Sequence, residues 1–259
     1  MRPFVVFTLL ILLLTGCSSG LVIDHSHPSL NQDSRVQFIV LHYTSASEQR
    51  SLALLTHGEV SSHYLIGDRP ATIYQLVDEN RRAWHAGQSE WQGRTWINAS
   101  SIGIEIVNPG YRDTPGGRVW YPYTEPQIKA VIALVRDIAQ RHHIEPRHII
   151  GHSDIAPLRK TDPGPLFPWK RLADAGLGIW PDAQAVARQT VRFDVVLPGI
   201  AWYQQQLARF GYTVPQTGEL DSDTRHVLAA FQMHFRPRLY DGQPDAETAG
   251  LLQVLNTMP

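Results

Sequence analysis

Apolar residues recur along this chain with two periods, and the places where one gives way to the other outline its elements. Residues 36–43 (Val-Gln-Phe-Ile-Val-Leu-His-Tyr) form a β-branched and aromatic run, which predicts a buried strand with His42 at its end. Residues 101–107 alternate strictly, with Ile102, Ile104 and Ile106 on one face and Ser101, Gly103 and Glu105 on the other, which predicts a second strand. Shorter runs at 62–66, 72–77 and 148–150 predict further strands, with Leu76 and Val77 in the core. Helical spacing takes over at Ile128, Val131, Ile132, Val135, Ile138 and Ala139, and Thr124-Glu-Pro-Gln127 ahead of it reads as a capping box with Pro126 in the first turn. A short helix is expected at 51–57, a polar one at 183–189, and a hairpin within 111–123. Beyond about residue 195, Val227, Leu228, Phe231 and Phe235 share one helical face. The fold class these runs predict is α/β, a mixed β-sheet covered by helices, followed by a small all-α region.

The start of the chain follows another pattern. Residues 4–14 are almost unbroken apolar after Met1-Arg-Pro. That is shorter than the about 20 residues a membrane span needs, and it fits the core of a signal peptide. It closes in Leu14-Thr-Gly-Cys17, which reads as a lipobox: residues 1–16 are removed and the Cys17 thiol receives a diacylglyceryl group. The alternative is an ordinary secretory signal with an incidental cysteine, but Cys17 is the only cysteine and stands at the one position a lipobox requires. Several acyl chains anchor a protein firmly where one does not. Ser18, rather than aspartate, then implies an outer-membrane lipoprotein facing the periplasm, with the polar residues 17–34 as its tether.

Composition narrows the chemistry. Acylation of Cys17 leaves no disulfide, thiolate nucleophile or cysteine metal ligand for the folded part. A net charge of −1 with interspersed signs argues against nucleic acid as a partner. A length of 259 residues accommodates about two domains. Residues 150–169 carry a histidine, two aspartates, a lysine and four prolines, so the segment is neither a regular helix nor an inner strand but a stiff polar loop. His152 opens that loop after a short strand, and Lys160 and Asp162 lie within it. With His42 they supply two strand-end histidines and one aspartate, a three-ligand set suited to catalytic zinc, although each histidine taken singly is more often structural. Glu105, inside an apolar strand, needs water, a partner or a metal to face.

Gly151-His-Ser-Asp-Ile-Ala-Pro-Leu-Arg-Lys-Thr-Asp-Pro-Gly-Pro165, with Leu41-His-Tyr-Thr44, Ser61-Ser-His-Tyr-Leu-Ile66, Trp84-His-Ala-Gly87 and Ser101-Ile-Gly-Ile-Glu-Ile106 in order, resembles the type 2 zinc-dependent N-acetylmuramoyl-L-alanine amidases. That family includes phage T7-type lysozyme and the peptidoglycan recognition proteins. The resemblance implies one Zn2+ per chain on His42, His152 and Asp162, with Glu105 as general base and Lys160 stabilising the oxyanion. It further implies Trp84, His85 and Asn108 as substrate contacts, His63 as a supporting residue, and peptidoglycan or muropeptides as substrate. Some relatives carry a catalytic tyrosine where this chain has Ser62, which would leave the acid/base work to Glu105. From Leu207 through Phe210-Gly-Tyr212, Gly218, Thr224, Phe231-Gln232, Asp241-Gly242, Asp245 and Thr248 to Leu252, the chain resembles a three-helix peptidoglycan-binding domain. The expected organisation is a zinc amidase domain over 35–190 and a peptidoglycan-binding-like helical domain over 191–259, in a monomer.

Two other readings use the same residues. A non-catalytic peptidoglycan-binding lipoprotein, a sensor or tether, would keep the fold and lose the metal, which the intact set argues against. A glycosidase built on Glu105 and Asp162 would need no zinc. Serine hydrolysis is disfavoured, because no Gly-x-Ser-x-Gly occurs.

Overall fold

The structure is a computed structural model that describes residues 21–258. The apolar run 4–14 and Cys17 lie outside the described residues. Residues 21–33 form a unit of their own, without helix or strand and exposed throughout. Among the described residues no helix is long and apolar enough to cross a membrane.

From residue 34 onward the elements are β1 (Phe38–Tyr43), α1 (Glu48–His57), β2 (Tyr64–Ile66), β3 (Ile73–Gln75), α2 (Ile97–Ser100), β4 (Ser101–Ile106), β5 (Tyr111–Thr114), β6 (Gly117–Trp120) and α3 (Glu125–His142). They continue with β7 (Ile149–Gly151), α4 (His152–Ile155), α5 (Trp169–Asp174), α6 (Ala183–Val195), α7 (Ile200–Phe210), α8 (Ser222–Phe235) and α9 (Ala246–Leu255). Five strands make one mixed sheet in the order β3-β2-β4-β1-β7, in which only β3 runs antiparallel to its neighbour. β5 and β6 pair as the expected hairpin.

The alternation in β1 sends its side chains to two different cores, while β4 gives its isoleucines to one of them and turns Ser101, Gly103 and Glu105 to the other face. Ile39, Leu41, Ile102, Ile104 and Ile106 pack against Ile128, Val131, Val135 and Ile138 of α3. The capping box of α3 forms as expected: Thr124 Oγ1 accepts from Gln127 N, and Gln127 Oε1 accepts from Thr124 N at 3.0 Å. On the opposite face Phe38, Val40 and Ile150 share one continuous core with Trp91, Ile155, Tyr203, Leu207, Tyr212, Phe231, Phe235 and Leu252. Parallel strands covered on both faces explain why these runs are so uniformly apolar. Leu76 and Val77, just past the edge strand β3, are only partly buried, with Leu76 packed against Leu55, Leu65 and Val107.

The C-terminal helices are held by one polar device used twice. Gln204 is fully buried; its Nε2 donates to Thr217 Oγ1, Glu219 O and Thr224 Oγ1 at 2.9–3.1 Å, and its Oε1 accepts from Gly218 N at 2.8 Å. Gln232, also fully buried, repeats this with Gln243 O, Thr248 Oγ1 and Gly242 N. Asp221 and Asp245 cap the helices that follow, accepting from Thr224 N and Thr248 N at 2.7 Å each. The expected boundary at 190/191 falls inside α6. That helix lies on α9 so closely that a Cβ on Gly250 would stand 2.9 Å from Thr190 Oγ1.

Replacing either glutamine strands several buried polar groups at once. Gln204→Ala and Gln232→Ala should each lower stability by about 2 kcal/mol, measured as a fall in the urea midpoint.

Candidate metal centre

The four parallel strands β2, β4, β1 and β7 end at one edge of the sheet, and the polar side chains gather there. His42 and Glu105 are register partners on β1 and β4, so their side chains rise from the same face. Gly151 ends β7 opposite Leu41, and the chain turns at once into α4, whose first residue is His152. The proline-rich loop then returns, tied by Ser153 N donating to Asp162 O at 2.8 Å, and delivers the Asp162 carboxylate.

His42 Nδ1, His152 Nδ1 and Asp162 Oδ2 converge: the two nitrogens are 2.9 Å apart, and the oxygen lies 3.1 and 3.0 Å from them. All three residues are buried. The hydrogen bonds behind the rings decide what faces inward. Ser101 Oγ donates to Ile97 O at 2.5 Å, so it accepts from His85 Nε2 at 3.1 Å. His85 Nδ1 is therefore a lone pair, which accepts from His42 Nε2 at 3.0 Å and leaves His42 Nδ1 without a proton. His152 Nε2 donates to Ala86 O at 3.2 Å, which leaves its Nδ1 bare as well. Two imidazole lone pairs and a carboxylate oxygen at this separation repel unless a cation lies among them, and one ion with bonds of about 2 Å spans such a set.

Electrostatics prepares the same ligands. Burial, with His152 beside it, pushes His42 down to about 4 against the pull of the Asp162 carboxylate toward a charged ring, so the ring is neutral near pH 7. Burial works against the Asp162 carboxylate, but positive charge placed beside it at His152 and His42 outweighs burial and holds its pKa well below the usual range; with both Nδ1 atoms bare, a bound cation is what supplies that charge. Burial, with Asp162 adding, raises Glu105 to about 8, while Lys160 opposes the shift. Glu105 Oε2 is buried and has no hydrogen-bond partner among the described residues. A desolvated carboxyl lining the same cleft as His152 and Asp162 is a group that a nearby cation would ionise.

The cleft above these groups is about 370 Å³ and is lined by Glu105, His152, Lys160 and Asp162, with Trp84 and Tyr111 toward its rim. Lys160 and Trp84, the latter 51% exposed, stand where the sequence predicts them. Two expected substrate contacts have their polar atoms engaged within the protein. His85 lines the cleft but is buried, its ring nitrogens bonded to His42 and Ser101. Asn108 is also buried, its amide donating to Tyr121 O and Pro122 O while its oxygen accepts from Gly110 N. His63 accepts from Gly103 N and donates to Arg81 O, a supporting residue as expected.

The Trp84-His-Ala-Gly87 motif thus supports both histidines, through the His85 side chain and the Ala86 carbonyl. Asn98 fixes that segment by accepting from His85 N and Ala86 N at 3.0 and 2.8 Å. Gly103 is what lets His85 in: a Cβ there would lie 2.4 Å from His85 Cγ. Sequence reasoning missed Tyr43, Thr161 and Arg159 in the cleft wall, and the link from Tyr43 Oη to Thr161 Oγ1 at 2.9 Å. Adjacency of all three to proposed ligands or to Lys160 was the available signal.

Residues 32–165 match the family described as N-acetylmuramoyl-L-alanine amidase, and residues 197–252 match a peptidoglycan binding domain. The chain is similar to N-acetylmuramoyl-L-alanine amidase AmiD of Escherichia coli (strain K12), 42% identical across 98% of both chains. It is also similar to 1,6-anhydro-N-acetylmuramyl-L-alanine amidase AmpD of the same organism, 41% identical over 46% of this chain and 60% of that one. Among solved structures it matches E. coli AmiD in complex with the substrate anhydro-N-acetylmuramic acid-L-Ala-D-gamma-Glu-L-Lys, with a TM-score of 0.84, 42% identity and coverage of 92% and 95%. AMPDH3 from Pseudomonas aeruginosa matches with a TM-score of 0.85, 41% identity and coverage of 91% and 98%.

Freeing the His42 ring should weaken the site without emptying it of ligands. His85→Ala, and Gly103→Ala by displacing His85, should each reduce zinc affinity about 10- to 100-fold in competition with a chromophoric chelator. Unchanged affinity in both would refute the relay.

Proposed function

The chain belongs to the N-acetylmuramoyl-L-alanine amidase family, and from that premise we propose how its own residues carry out the hydrolysis. It is an amidase that cleaves the amide between N-acetylmuramic acid and L-alanine of peptidoglycan or muropeptides. The observation that carries the assignment of roles is the convergence of two bare Nδ1 atoms and one carboxylate oxygen beside an unpartnered Glu105.

His42, His152 and Asp162 would hold one zinc ion, which when bound would supply the charge that polarises a carbonyl oxygen and acidifies water. Glu105 takes a proton from the attacking water and returns it to the departing L-alanine amine. The nearby cation favours the ionised form of Glu105 that this requires. Lys160, two residues before a ligand in a loop stiffened by prolines, stabilises the charge that develops on the amide oxygen. Trp84 offers a half-exposed ring at the cleft wall for sugar or peptide to stack on. Cys17 carries the lipid that attaches the protein to the outer membrane, residues 17–34 give it reach into the periplasm, and it acts there as a monomer. Catalysis resides in the sheet domain, and the C-terminal helices, beginning with α6, add contact with the wall.

Mass spectrometry of a disaccharide-tetrapeptide treated with protein lacking residues 1–17 should show free tetrapeptide with an L-alanine amino terminus, lost with chelator and restored by zinc. Cleaved sugars would sink the assignment in favour of a glycosidase, and intact substrate would favour a sensor. Glu105→Gln should lower kcat about 10²- to 10⁴-fold with zinc binding retained.

The sign of the Glu105 shift yields a separate outcome. With a pKa raised to about 8, Glu105 is mostly protonated at pH 7 in the zinc-free protein, whereas a bound cation favours the carboxylate. Zinc binding at pH 7 should therefore release about one proton from this group, and none from His42, which is already neutral. Calorimetry in buffers of different ionisation enthalpy measures this, and Glu105→Gln should abolish it.

A further inference from the structure

The C-terminal helices reach the metal-binding turn through one buried carboxylate. Asp154 stands two residues after His152 on α4 and is 1% exposed. Its Oδ2 accepts from Gly151 N at 2.7 Å and from His234 Nδ1 at 2.9 Å, and its Oδ1 accepts from the Tyr212 hydroxyl at 2.5 Å. A carboxylate this deep is tolerated only when its lone pairs are matched. Two of the three donors come from the region that matches a peptidoglycan binding domain.

Both donors are themselves held rigidly. The His234 ring stacks on Trp169, with centroids 3.9 Å apart and planes 13° from parallel. The Tyr212 ring meets Trp91 edge-on at 4.9 Å. Gly211 O accepts from Gln92 N at 2.9 Å, and Ile155 O accepts from Glu90 N at the same distance. Tyr212 therefore braces both the 85–92 segment, through Trp91, and the turn that carries His152, through Asp154, while His234 braces that turn alone. Neither Tyr212 nor His234 lines the cleft, so direct substrate contact does not explain them.

We propose that Tyr212 and His234 are positioning residues of the metal centre, through which the C-terminal helices hold the His152 turn by way of Asp154. The region thereby acts as a structural part of the amidase site and not only as a wall contact. This rests on the zinc reading of His42, His152 and Asp162.

The test uses the full mature chain, with zinc affinity measured against a chromophoric chelator and ligand geometry read from the absorption bands of the cobalt(II)-substituted protein. Tyr212→Phe and His234→Phe keep their rings and lose their donors, and should each weaken zinc about 10- to 100-fold and shift the cobalt bands. His234→Asn, which keeps a donor for Asp154 and loses the stack, should stay within about threefold of the parent. Tyr240→Phe removes a different bond from these helices, the one Trp120 Nε1 donates to Tyr240 Oη, and should leave zinc binding unchanged. Parent-like zinc affinity and cobalt bands in Tyr212→Phe and His234→Phe would overturn the proposal, even if both melt at lower temperature, because the clasp would then serve only the fold. Should Tyr212→Phe not fold, the pair at His234 decides. A parent that binds no zinc would overturn the zinc reading itself, and this inference with it.

Discussion

The site depends on the direction of one row of hydrogen bonds. Ile97 O can only accept, so Ser101 Oγ donates to it, His85 must donate to Ser101, and His42 must donate to His85. Four residues from three segments settle which nitrogen of His42 is bare. The backbone carbonyl of Ala86 does the same for His152. An inward-facing lone pair is costly in a buried site unless something positive meets it, so the fold stores at this edge of the sheet a demand that a cation satisfies. Gly103, Asn98 and Ser101 are not ligands, yet each serves that arrangement.

Magnitudes separate the interactions that matter from those that decorate the surface. Lys170–Asp174 and Arg171–Glu125 are well-formed but exposed ion pairs, each worth about 0–1 kcal/mol. Asp154 is a different case: buried, charged and matched by donors from both matched regions, so removing one donor leaves a desolvated charge with no substitute. The same contrast applies at Glu105, where burial outweighs the attraction of Lys160 and holds the proton until a cation changes the balance. The motif residues of the C-terminal helices are likewise occupied internally: Gln204, Gln232, Thr224, Thr248, Gly218 and Gly242 bond one another. They identify a fold and do not by themselves identify a binding surface.

Much of this was legible from one dimension. Strict alternation over 101–107 put Glu105 on the face opposite three core isoleucines, and the structure has it there, register-paired with His42. The spacing after Thr124 marked both the capping box and the buried face of α3. The proline-rich loop announced a rigid ligand-bearing segment because prolines exclude regular structure. Less visible were the partial burial of Leu76 and Val77, which follow the edge strand β3, and the packing on α9 of the polar helix that runs through residue 190. The internal bonds of His85 and Asn108 were not visible for a common reason: a polar residue in a loop looks the same whether its partner is substrate or the protein itself.

The sequence by itself determined the strand and helix periods, the candidate ligand types, the acid/base candidate and the family, because these depend on residue identity and near spacing. Only the tertiary structure decided the tautomers of His42 and His152, the burial of His85 behind them, and the reach of Tyr212 and His234 to Asp154. Those contacts join residues 43, 58 and 80 positions apart. Hydrogen-bond direction and desolvation depend on what packs around a group, and packing across such separations has no trace in local pattern.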